Sequence, residues 1–355
     1  MMGATTITSR TAALALATVG GIALAATACG GEEAAQSTGE RPSPLPVVVD
    51  YSPTVSDAGA LLYLASHPAV DLLAVTLAGT GESRCEAALP NTLGLLALAG
   101  VDDVPVACGP GVPMGPGHEW PSEWRDAADR LAPLEFDAVL DHDRVNAELS
   151  GVDLLADTAA ATDGLVVVAL GPLTNLAAAL DAHPELAEDV AMLYTMGGAI
   201  GVTGNAPNGA EWNYYVDPSA VDVVVRSEMP VTIVPLDATN HVPVDAGIYE
   251  RMRGHREQPL FAIRQLWTDS TPWRNGSFLW DELTAMLAVD PSLAPLGTAR
   301  ITVVTAGDDA GRTLPASDGH EVLVAGRPNR RRAETAFLTT LAGASGGGEH
   351  RSDLR

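Results

Sequence analysis

Four polar side chains follow a short apolar segment near the start of the sequence and could take part in chemistry. They are Asp50, Ser52, Ser56 and Asp57. Carboxylates can bind a hard cation or accept a proton, and hydroxyl groups can hold a polar ligand. The same residue types are frequent caps at helix starts, and the following segment, residues 58–64, is an apolar run of helical length. A ligand site and a helix cap therefore both remain open interpretations of this stretch.

The elements around these side chains predict where they lie. Val47 to Val49 are β-branched, which is typical of a strand buried on both faces, and Pro53 interrupts that strand. Further apolar segments alternate with helical ones, and each ends in a polar or glycine cluster: residues 71–78, 104–108, 165–170, 190–196 and 231–236. This pattern predicts a single-domain α/β fold with a mostly parallel open sheet flanked by helices, whose carboxyl edge collects the clusters and binds the ligand.

The remaining segments predict the surroundings of that sheet. Helices are predicted for residues 246–289. Residues 300–304 and 321–325 are predicted to form a terminal strand pair, and residues 335–341 a closing helix. Residues 110–145, which include Trp120 and Trp124, predict an irregular connection. A connection of this length is either a functional lid or a loop that its aromatic side chains anchor.

The composition restricts the partners of the chain. The 355 residues carry a formal net charge of −25, and all of the basic residues are Arg. So acidic a surface argues against nucleic acid and anionic membranes as partners, and it favours neutral or cationic ligands, including divalent cations. An alternative interpretation is that the negative charge serves only to keep the protein soluble.

The first 29 residues resemble a bacterial lipoprotein signal. An apolar stretch from Thr11 to Ala28 ends in small residues directly before Cys29. This resemblance implies cleavage before Cys29 and lipid on its thiol, so that an extracytoplasmic protein is anchored to the cell membrane. A plain cleaved signal peptide and an N-terminal membrane helix are the alternatives, although the stretch is short for a span. Residues 30–45 have the composition of a tether, and residues 342–355 that of a disordered tail.

Two further cysteines, Cys85 and Cys108, have two possible states. In an exported protein they can form a disulfide, whereas in the cytoplasm two buried thiols are expected. The distance between their Cα atoms, which decides whether a bond can form, does not follow from sequence.

The motifs at the predicted strand ends resemble, in order, those of the inosine–uridine-preferring nucleoside hydrolase family across residues 46–341. The family's opening motif Asp-x-Asp-Pro-Gly-x-Asp-Asp-Ala is matched by Asp50–Ala58, and its Gly-Asn pair is matched by Gly79–Thr80. Its Gly-Pro-Leu-Thr-Asn and Met-Gly-Gly motifs are present at Gly171–Asn175 and Met196–Gly198. Its block Gly-Asn…Ala-Glu-Phe-Asn…Asp-Pro is matched by Gly204–Asn205, Ala210–Asn213 and Asp217–Pro218, and its late His-Asp or Trp-Asp pair is matched by Trp280–Asp281.

The resemblance implies hydrolysis of the N-glycosidic bond of purine or pyrimidine nucleosides to ribose and base, by attack of a water molecule with the assistance of Ca²⁺. The implied Ca²⁺ ligands are Ser52, Asp57, the Leu170 carbonyl and Asp281. The implied substrate-binding residues are Ser56, Thr80, Met196, Asn205, Glu211, Trp212 and Asn213. The implied catalytic residues are Asp50, Ser52, Asp57 and Trp280. A homo-oligomer is possible.

The chain departs from the family pattern where the resemblance places the metal and the attacking water. Ser52 and Ser56 stand where the family has Asp, and a hydroxyl is a poor base and adds no charge to a cation site. Asp50, two residues before Ser52 on the same side of the strand, is the candidate replacement base. Trp280 can stack on a nucleobase or donate from its indole. Two hypotheses follow: a nucleoside hydrolase, or a catalytically impaired lipoprotein that binds a nucleoside or other ribosyl ligand.

Overall fold

The sheet of this protein contains nine strands within residues 43–101, 103–134 and 150–343, the part of the chain that the computed structural model describes. The strands are β1 (Leu45–Tyr51), β2 (Val70–Leu77), β3 (Val106–Cys108), β4 (Leu165–Ala169), β5 (Val190–Met196), β6 (Val231–Val234), β7 (Leu296–Val303), β8 (Thr313–Pro315) and β9 (His320–Ala325). Their order across the sheet is β3-β2-β1-β4-β5-β6-β9-β7-β8.

The pairing of these strands confirms the predicted mostly parallel sheet. Strands β1 to β6 pair in parallel with their neighbours, and β9 pairs in parallel with β6; Val48 of β1, for example, lies opposite Val167 of β4. Strand β7 is antiparallel to both β8 and β9, and its pairing with β9 forms the predicted terminal strand pair.

Helices follow most of the strands, as the alternating pattern predicts. They are α1 (Val55–Ser66), α2 (Cys85–Ala99), α3 (Ser122–Arg130), α4 (Gly151–Ala160), α5 (Thr174–Ala182), α6 (Leu186–Asp189), α7 (Trp212–Val216), α8 (Pro218–Arg226), α9 (Leu236–Thr239), α10 (Ala246–Met252), α11 (Leu260–Ser270), α12 (Pro272–Asn275), α13 (Trp280–Val289) and α14 (Arg330–Gly343), with a 3-10 turn at Pro291–Leu293.

Helix α3 corrects the prediction of an irregular connection over residues 110–145. This helix is short and polar, and it buries only Ala128 along its length, so it lacks the apolar periodicity that predicts a helix from sequence. Residues 135–149 of the same connection lie outside the described residues.

The two faces of the sheet are buried under different helices because side chains alternate along a strand. Val47 and Val49 of β1 pack in one apolar cluster with α1, α11, α13 and α14, whereas Val48 packs in a second cluster with α4, α5 and α8. All three valines are fully buried, as expected for a strand covered on both faces.

The strand order places a topological switch point between β1 and β4. From β1 the chain builds β2 and β3 on one side, and it then returns to the other side through β4, β5 and β6. In open α/β sheets, the crevice at the carboxyl ends of the strands at such a point binds the ligand. The side chains that follow β1 and β4 are therefore the ones this topology brings to a ligand.

A disulfide joins Cys85, at the start of α2, to Cys108, at the end of β3. The two Cα atoms are 6.2 Å apart, which lies within the range that a disulfide spans. Of the two states that the sequence leaves open, the structure has the bonded one.

Several predictions concern residues that the structure does not describe. The lipoprotein signal of residues 1–29 and most of the tether, up to residue 42, lie outside the described residues, as does the tail from residue 344 onward. Residues 342 and 343 belong to α14 rather than to a tail. Over the described ranges, none of the helices has both the length and the apolar character needed to cross a membrane.

Candidate active site

A cavity of about 620 Å³ lies at the switch point, at the carboxyl ends of β1, β4 and β5. Eleven predicted site residues line it, Ser52, Ser56, Asp57, Leu170, Met196, Asn205, Glu211, Trp212, Asn213, Trp280 and Asp281. They come from segments far apart in the sequence, and the fold brings them to one edge of the sheet. Asp50 and Thr80 are not among the lining residues.

One side of the cavity, formed by Asn205, Glu211 and Asn213, is here called the Glu211 wall. The Glu211 carboxylate accepts N–H groups from Asn213 (3.0 Å), Gly198 (3.1 Å) and Tyr214 (3.2 Å), and in doing so it caps α7. Gly198 has φ +80°, a conformation that favours glycine, which explains the second glycine of the Met-Gly-Gly motif. Burial raises the pKa of Glu211 to about 7, although these N–H groups act to lower it.

The two asparagines of the Glu211 wall are also held by the protein. The Asn213 Nδ2 donates to the Leu170 carbonyl at 3.0 Å and to the Met196 carbonyl at 3.1 Å, so it ties the ends of β4 and β5 together. The Asn205 Oδ1 accepts the N–H of Trp212 at 3.1 Å. The wall therefore has its geometry before any ligand binds.

A second side of the cavity, formed by Asp57, Glu82 and Asp281, is here called the acidic corner. Asp57 caps a helix and also lines the cavity, so it fits both interpretations that the sequence leaves open. Its Oδ2 accepts from the hydroxyl (2.6 Å) and the N–H (3.3 Å) of Thr54 in a capping box at the start of α1. Its Oδ1 is buried and has no hydrogen-bond partner among the described residues.

The carboxyl groups of the acidic corner repel one another. Burial, and then the nearby charge of Asp281, raise the pKa of Asp57 well above its ordinary value. Burial likewise raises the pKa of Asp281, and the carboxylates of Glu211 and Glu82 raise it further. Like charges that share a buried site favour the neutral acids unless a cation neutralises them.

Glu82 belongs to this corner although it is not among the predicted site residues. It lies in the loop between β2 and α2 and lines the cavity, and burial raises its pKa to about 7. Within the described part of the chain its carboxylate has no hydrogen-bond or ion-pair partner. The available signal in the sequence is an acid inside the polar cluster that ends a predicted strand.

The two serines that replace family Asp residues are both engaged by neighbours. The Ser52 Oγ accepts the N–H of Ser83 at 2.8 Å. The Ser56 Oγ donates to Glu282 Oε2 at 2.9 Å. Glu282 is a further cavity acid absent from the prediction, and burial, followed by the charge of Asp281, raises its pKa well above the ordinary value.

Asp50 lies behind the cavity, inside the sheet. Its Oδ1 accepts from Thr76 Oγ1 and Asn175 Nδ2, both at 2.6 Å, so it links β2 to the turn that follows β4. Its Oδ2 is buried without a partner among the described residues, and burial raises its pKa to about 7. The structure therefore does not bring this candidate base to the other site residues, because its place within the sheet makes it a strand connector.

Thr80 also lies outside the cavity wall. Its hydroxyl pairs with that of Thr174 at 2.8 Å, and Thr174 donates in turn to Asp217 Oδ2 at 2.7 Å. Asp217 caps α8 as well. This chain of hydrogen bonds gives the Gly-Pro-Leu-Thr-Asn turn and the Asp-Pro pair a structural role beside the site.

Aromatic side chains form a further part of the cavity lining. The rings of Trp120 and Trp212 stack with centroids 4.8 Å apart, and Trp124 packs against Trp212 at 5.3 Å. Trp280 also lines the cavity, beside Phe278, and its indole N–H is buried without a partner among the described residues. The connection before and within α3 is therefore anchored by its aromatics, which also line the cavity.

The oxygen atoms of the site match the chemistry of a hard cation such as Ca²⁺, which prefers carboxylate and carbonyl ligands. Asp57 offers an unpartnered carboxylate oxygen, and Asp281 and the Leu170 carbonyl line the same cavity. As the described side chains stand, no three of the His, Cys, Asp and Glu residues converge as a metal-binding group. The donors fit a hard cation, with two carboxylates among the predicted ligands.

An open α/β sheet with a cavity of acids, amides and aromatics at its switch point defines a class of proteins that act on small polar ligands. Comparison with known families identifies the family. The model of the inosine-uridine preferring nucleoside hydrolases matches residues 47–341, and the chain belongs to this family. The predicted resemblance is confirmed.

Individual relatives agree with this assignment. The pyrimidine-specific ribonucleoside hydrolase RihA of Citrobacter koseri is 34% identical over 215 residues, which cover 59% of this chain and 65% of the relative. RihA of Escherichia coli is likewise 34% identical, over 59% of this chain and 66% of the relative. These matches span slightly less than two thirds of the curated relatives.

Solved structures match over nearly their whole length and confirm the fold. The plant nucleoside hydrolase PpNRh1 has a TM-score of 0.75 at 28% identity, covering 84% of this chain and 99% of that one. The inosine-uridine preferring nucleoside hydrolase of Bacillus anthracis has a TM-score of 0.75 at 26% identity, with the same coverage.

Proposed function

We propose that this protein hydrolyses the N-glycosidic bond of ribonucleosides, releasing ribose and the base. The observation that carries the proposal is the convergence of the Glu211 wall with Asp57 and Asp281 on one cavity, from four separate segments of the chain. Family membership and the printed activities of the relatives support the same reaction. Those relatives carry different base preferences in their names, so the proposal covers ribonucleosides as a class.

The Glu211 wall is suited to hold the ribose. Backbone N–H groups fix the Glu211 carboxylate, and Asn205 and Asn213 are tied by hydrogen bonds of their own. Sugar hydroxyls can donate to a carboxylate and to amide oxygens in such fixed positions with little reorganisation. The negative charge of the wall also stabilises the positive charge that develops on the sugar as the glycosidic bond breaks.

The aromatic part of the cavity is suited to hold the base. Trp280 offers a ring face and an unpartnered indole N–H, which can donate to an acceptor atom of the leaving base. The stacked pair of Trp120 and Trp212 gives a second flat surface on the cavity wall.

Ca²⁺ is proposed as the cofactor, because no basic side chain within the described residues forms an ion pair with Asp57, Glu82 or Asp281. Asp57, Asp281 and the Leu170 carbonyl would hold it. When bound, such an ion positions hydroxyl groups and makes a water molecule easier to deprotonate. The Ser52 hydroxyl, the remaining predicted ligand, is a neutral oxygen like the Leu170 carbonyl.

A second candidate function, nucleoside binding without cleavage, is favoured by a specific observation. Neither Ser52, which stands where the family has an acid, nor Asp50, the candidate replacement base, is in a position to accept a proton from water. Ser52 carries no charge and accepts a backbone N–H, and Asp50 does not line the cavity. A site with an intact Glu211 wall but no base for water would bind a nucleoside and leave it whole.

One experiment separates the two functions. The purified protein is incubated with inosine, uridine, adenosine and cytidine, with Ca²⁺ or with a chelator, and free ribose is measured. The proposed reaction predicts ribose release that requires Ca²⁺. Saturable nucleoside binding with no ribose above the blank would establish the second function and reject the first. Asp281→Asn is the control for background hydrolysis.

The location of the protein is proposed from the sequence of its first residues. Lipid on Cys29, which lies outside the described residues, would anchor the protein outside the cytoplasm. The Cys85–Cys108 disulfide supports this location, because disulfides persist mainly in oxidising compartments. Membrane fractionation tests it: Cys29→Ser should move the protein out of the membrane fraction, and an unchanged distribution would contradict the anchor.

A further inference from the structure

The acidic corner contains a carboxylate that the family resemblance does not assign. We propose that Glu82 supplies the carboxylate that position 52 lacks and is the third carboxylate ligand of the cation site. This inference rests on the proposed function in one respect, because it takes the bound cation to be the Ca²⁺ of the hydrolytic reaction. It concerns cation binding, which can be measured without any turnover.

The path of the chain places Glu82 directly beside Ser52. On one side of Glu82, Gly81 passes so close that a Cβ atom there would lie 2.2 Å from Ser52 Cβ. On the other side, the Ser83 N–H donates to the Ser52 Oγ at 2.8 Å. Because both of its neighbours touch Ser52, Glu82 extends from the backbone next to the space that a longer acid at position 52 would reach.

The loop that carries Glu82 is held in place without the help of its carboxylate. Ser83 Oγ donates to Asp129 of α3 at 3.2 Å, and the Arg84 N–H donates to the same carboxylate at 2.6 Å. An Arg84–Asp129 ion pair and the disulfide at the start of α2 add to these contacts. The Glu82 side chain has no such role within the described residues, so it is free to bind a ligand.

The second observation comes from the other members of the corner. Asp57 is buried, lines the cavity and keeps an Oδ1 atom with no partner among the described residues. Glu82 is close enough to act electrostatically on both Asp57 and Asp281. Arg130 also lines the cavity, but it forms no ion pair with any described carboxylate. An unpartnered buried oxygen within electrostatic reach of two further acids can be neutralised by a divalent cation.

The side chains still have to come together. As they stand, no three described acids, histidines or cysteines converge as a metal group. Glu82 has the side chain best able to close the gap, because it is half-buried, unpartnered and has two methylene groups between backbone and carboxylate. Cation binding is therefore expected to rotate Glu82 toward Asp57 while the loop stays in place.

Calorimetric titration with Ca²⁺ tests the inference on the whole protein. Glu82→Gln keeps the size of the side chain and removes its charge, and it should weaken Ca²⁺ binding about tenfold or more. Glu86→Gln is the matched control, because Glu86 is an exposed acid in the first turn of α2 and does not line the cavity. Its affinity for Ca²⁺ should stay within about twofold of wild type, since surface charges are screened.

Thermal unfolding gives a readout that a merely structural role of Glu82 would not produce. In chelator, Glu82→Gln should unfold at the same or a higher temperature than wild type, because it removes repulsion. Added Ca²⁺ should then raise its Tm less than that of wild type. Regained affinity in a Ser52→Asp/Glu82→Gln double variant would further support the substitution of one acid for the other.

The results that overturn the inference differ from those that overturn the proposed function. Wild-type Ca²⁺ affinity in Glu82→Gln, or no Ca²⁺ binding by wild type, rejects Glu82 as a ligand. Ca²⁺ binding that depends on Glu82 without any ribose release supports the inference and rejects the hydrolase activity.

Discussion

The Glu211 wall and the acidic corner face the same cavity but are built in opposite ways. In the wall, both oxygens of Glu211 accept backbone N–H groups, so the protein itself satisfies the charge. In the corner, an oxygen of Asp57 and the carboxylate of Glu82 have no partner within the described residues. The wall is thus organised by the fold, whereas the corner is organised for a positively charged ligand that comes from solution.

This difference predicts opposite responses to the loss of a charge. A neutral side chain in the wall leaves backbone N–H groups without their acceptor, which costs stability. A neutral side chain in the corner relieves repulsion between acids but weakens cation binding. Substitutions in the two regions therefore separate ribose binding from cation binding.

The largest effect is expected for Asp281→Asn in the acidic corner. The variant removes one of the two predicted carboxylate ligands, so Ca²⁺ affinity and the rate of ribose release should both fall by about 100-fold or more. Calorimetry and a ribose assay measure the two quantities. Near wild-type values for both would show that the corner does not bind the ion.

Glu211→Gln tests the wall in the same way. The amide presents N–H groups to donors, so the free energy of unfolding should fall by about 1–3 kcal/mol, and kcat/KM for nucleosides should fall by about 100-fold. Ca²⁺ affinity should fall less than in Asp281→Asn, because Glu211 acts on Asp281 through its charge and is not itself a predicted ligand. A variant as stable as wild type would contradict the structural account of the wall.

Asp50 extends the comparison to a buried acid that lies outside the cavity. The pKa of Asp50 is about 7 in the folded protein and lower in the unfolded chain. At pH values between these two pKa values, the folded state therefore binds more protons than the unfolded state. The stabilisation is therefore complete at acid pH and is lost as the pH rises through about 7. Asp50→Asn should flatten this loss between pH 5 and 8, even at saturating Ca²⁺. Denaturant unfolding at both pH values measures it, and an unchanged slope would contradict the assignment.

The smallest effect is expected for Trp124→Ala in the aromatic edge of the cavity, the name used here for the packed rings of Trp120, Trp124 and Trp212. Trp124 is 42% exposed and packs on Trp212 rather than on either polar region. The KM for nucleosides should rise about 2- to 10-fold, the worth of one aromatic pair, with Ca²⁺ affinity unchanged. A loss of Ca²⁺ affinity would mean that the aromatic edge and the acidic corner are not separate.

Much of the fold and of the site is predictable from sequence. Runs of β-branched residues such as Val47–Val49 indicate buried strands, and the family motifs indicate where those strands end. Helix α3 is not predictable, because its residues lack an apolar period. The buried position of Asp50 follows from partners on other strands, Thr76 and Asn175, which no local pattern reveals. Glu82 is missed because only the folded loop brings it beside Ser52.

The most direct test of the account is the rate of ribose release from uridine as a function of Ca²⁺ concentration. For wild type we predict a saturable rise whose midpoint equals the calorimetric Kd. For Glu82→Gln we predict the midpoint to move about tenfold higher, while the Glu211 wall still binds the nucleoside. A rate independent of Ca²⁺, or no ribose at any concentration, would contradict the account.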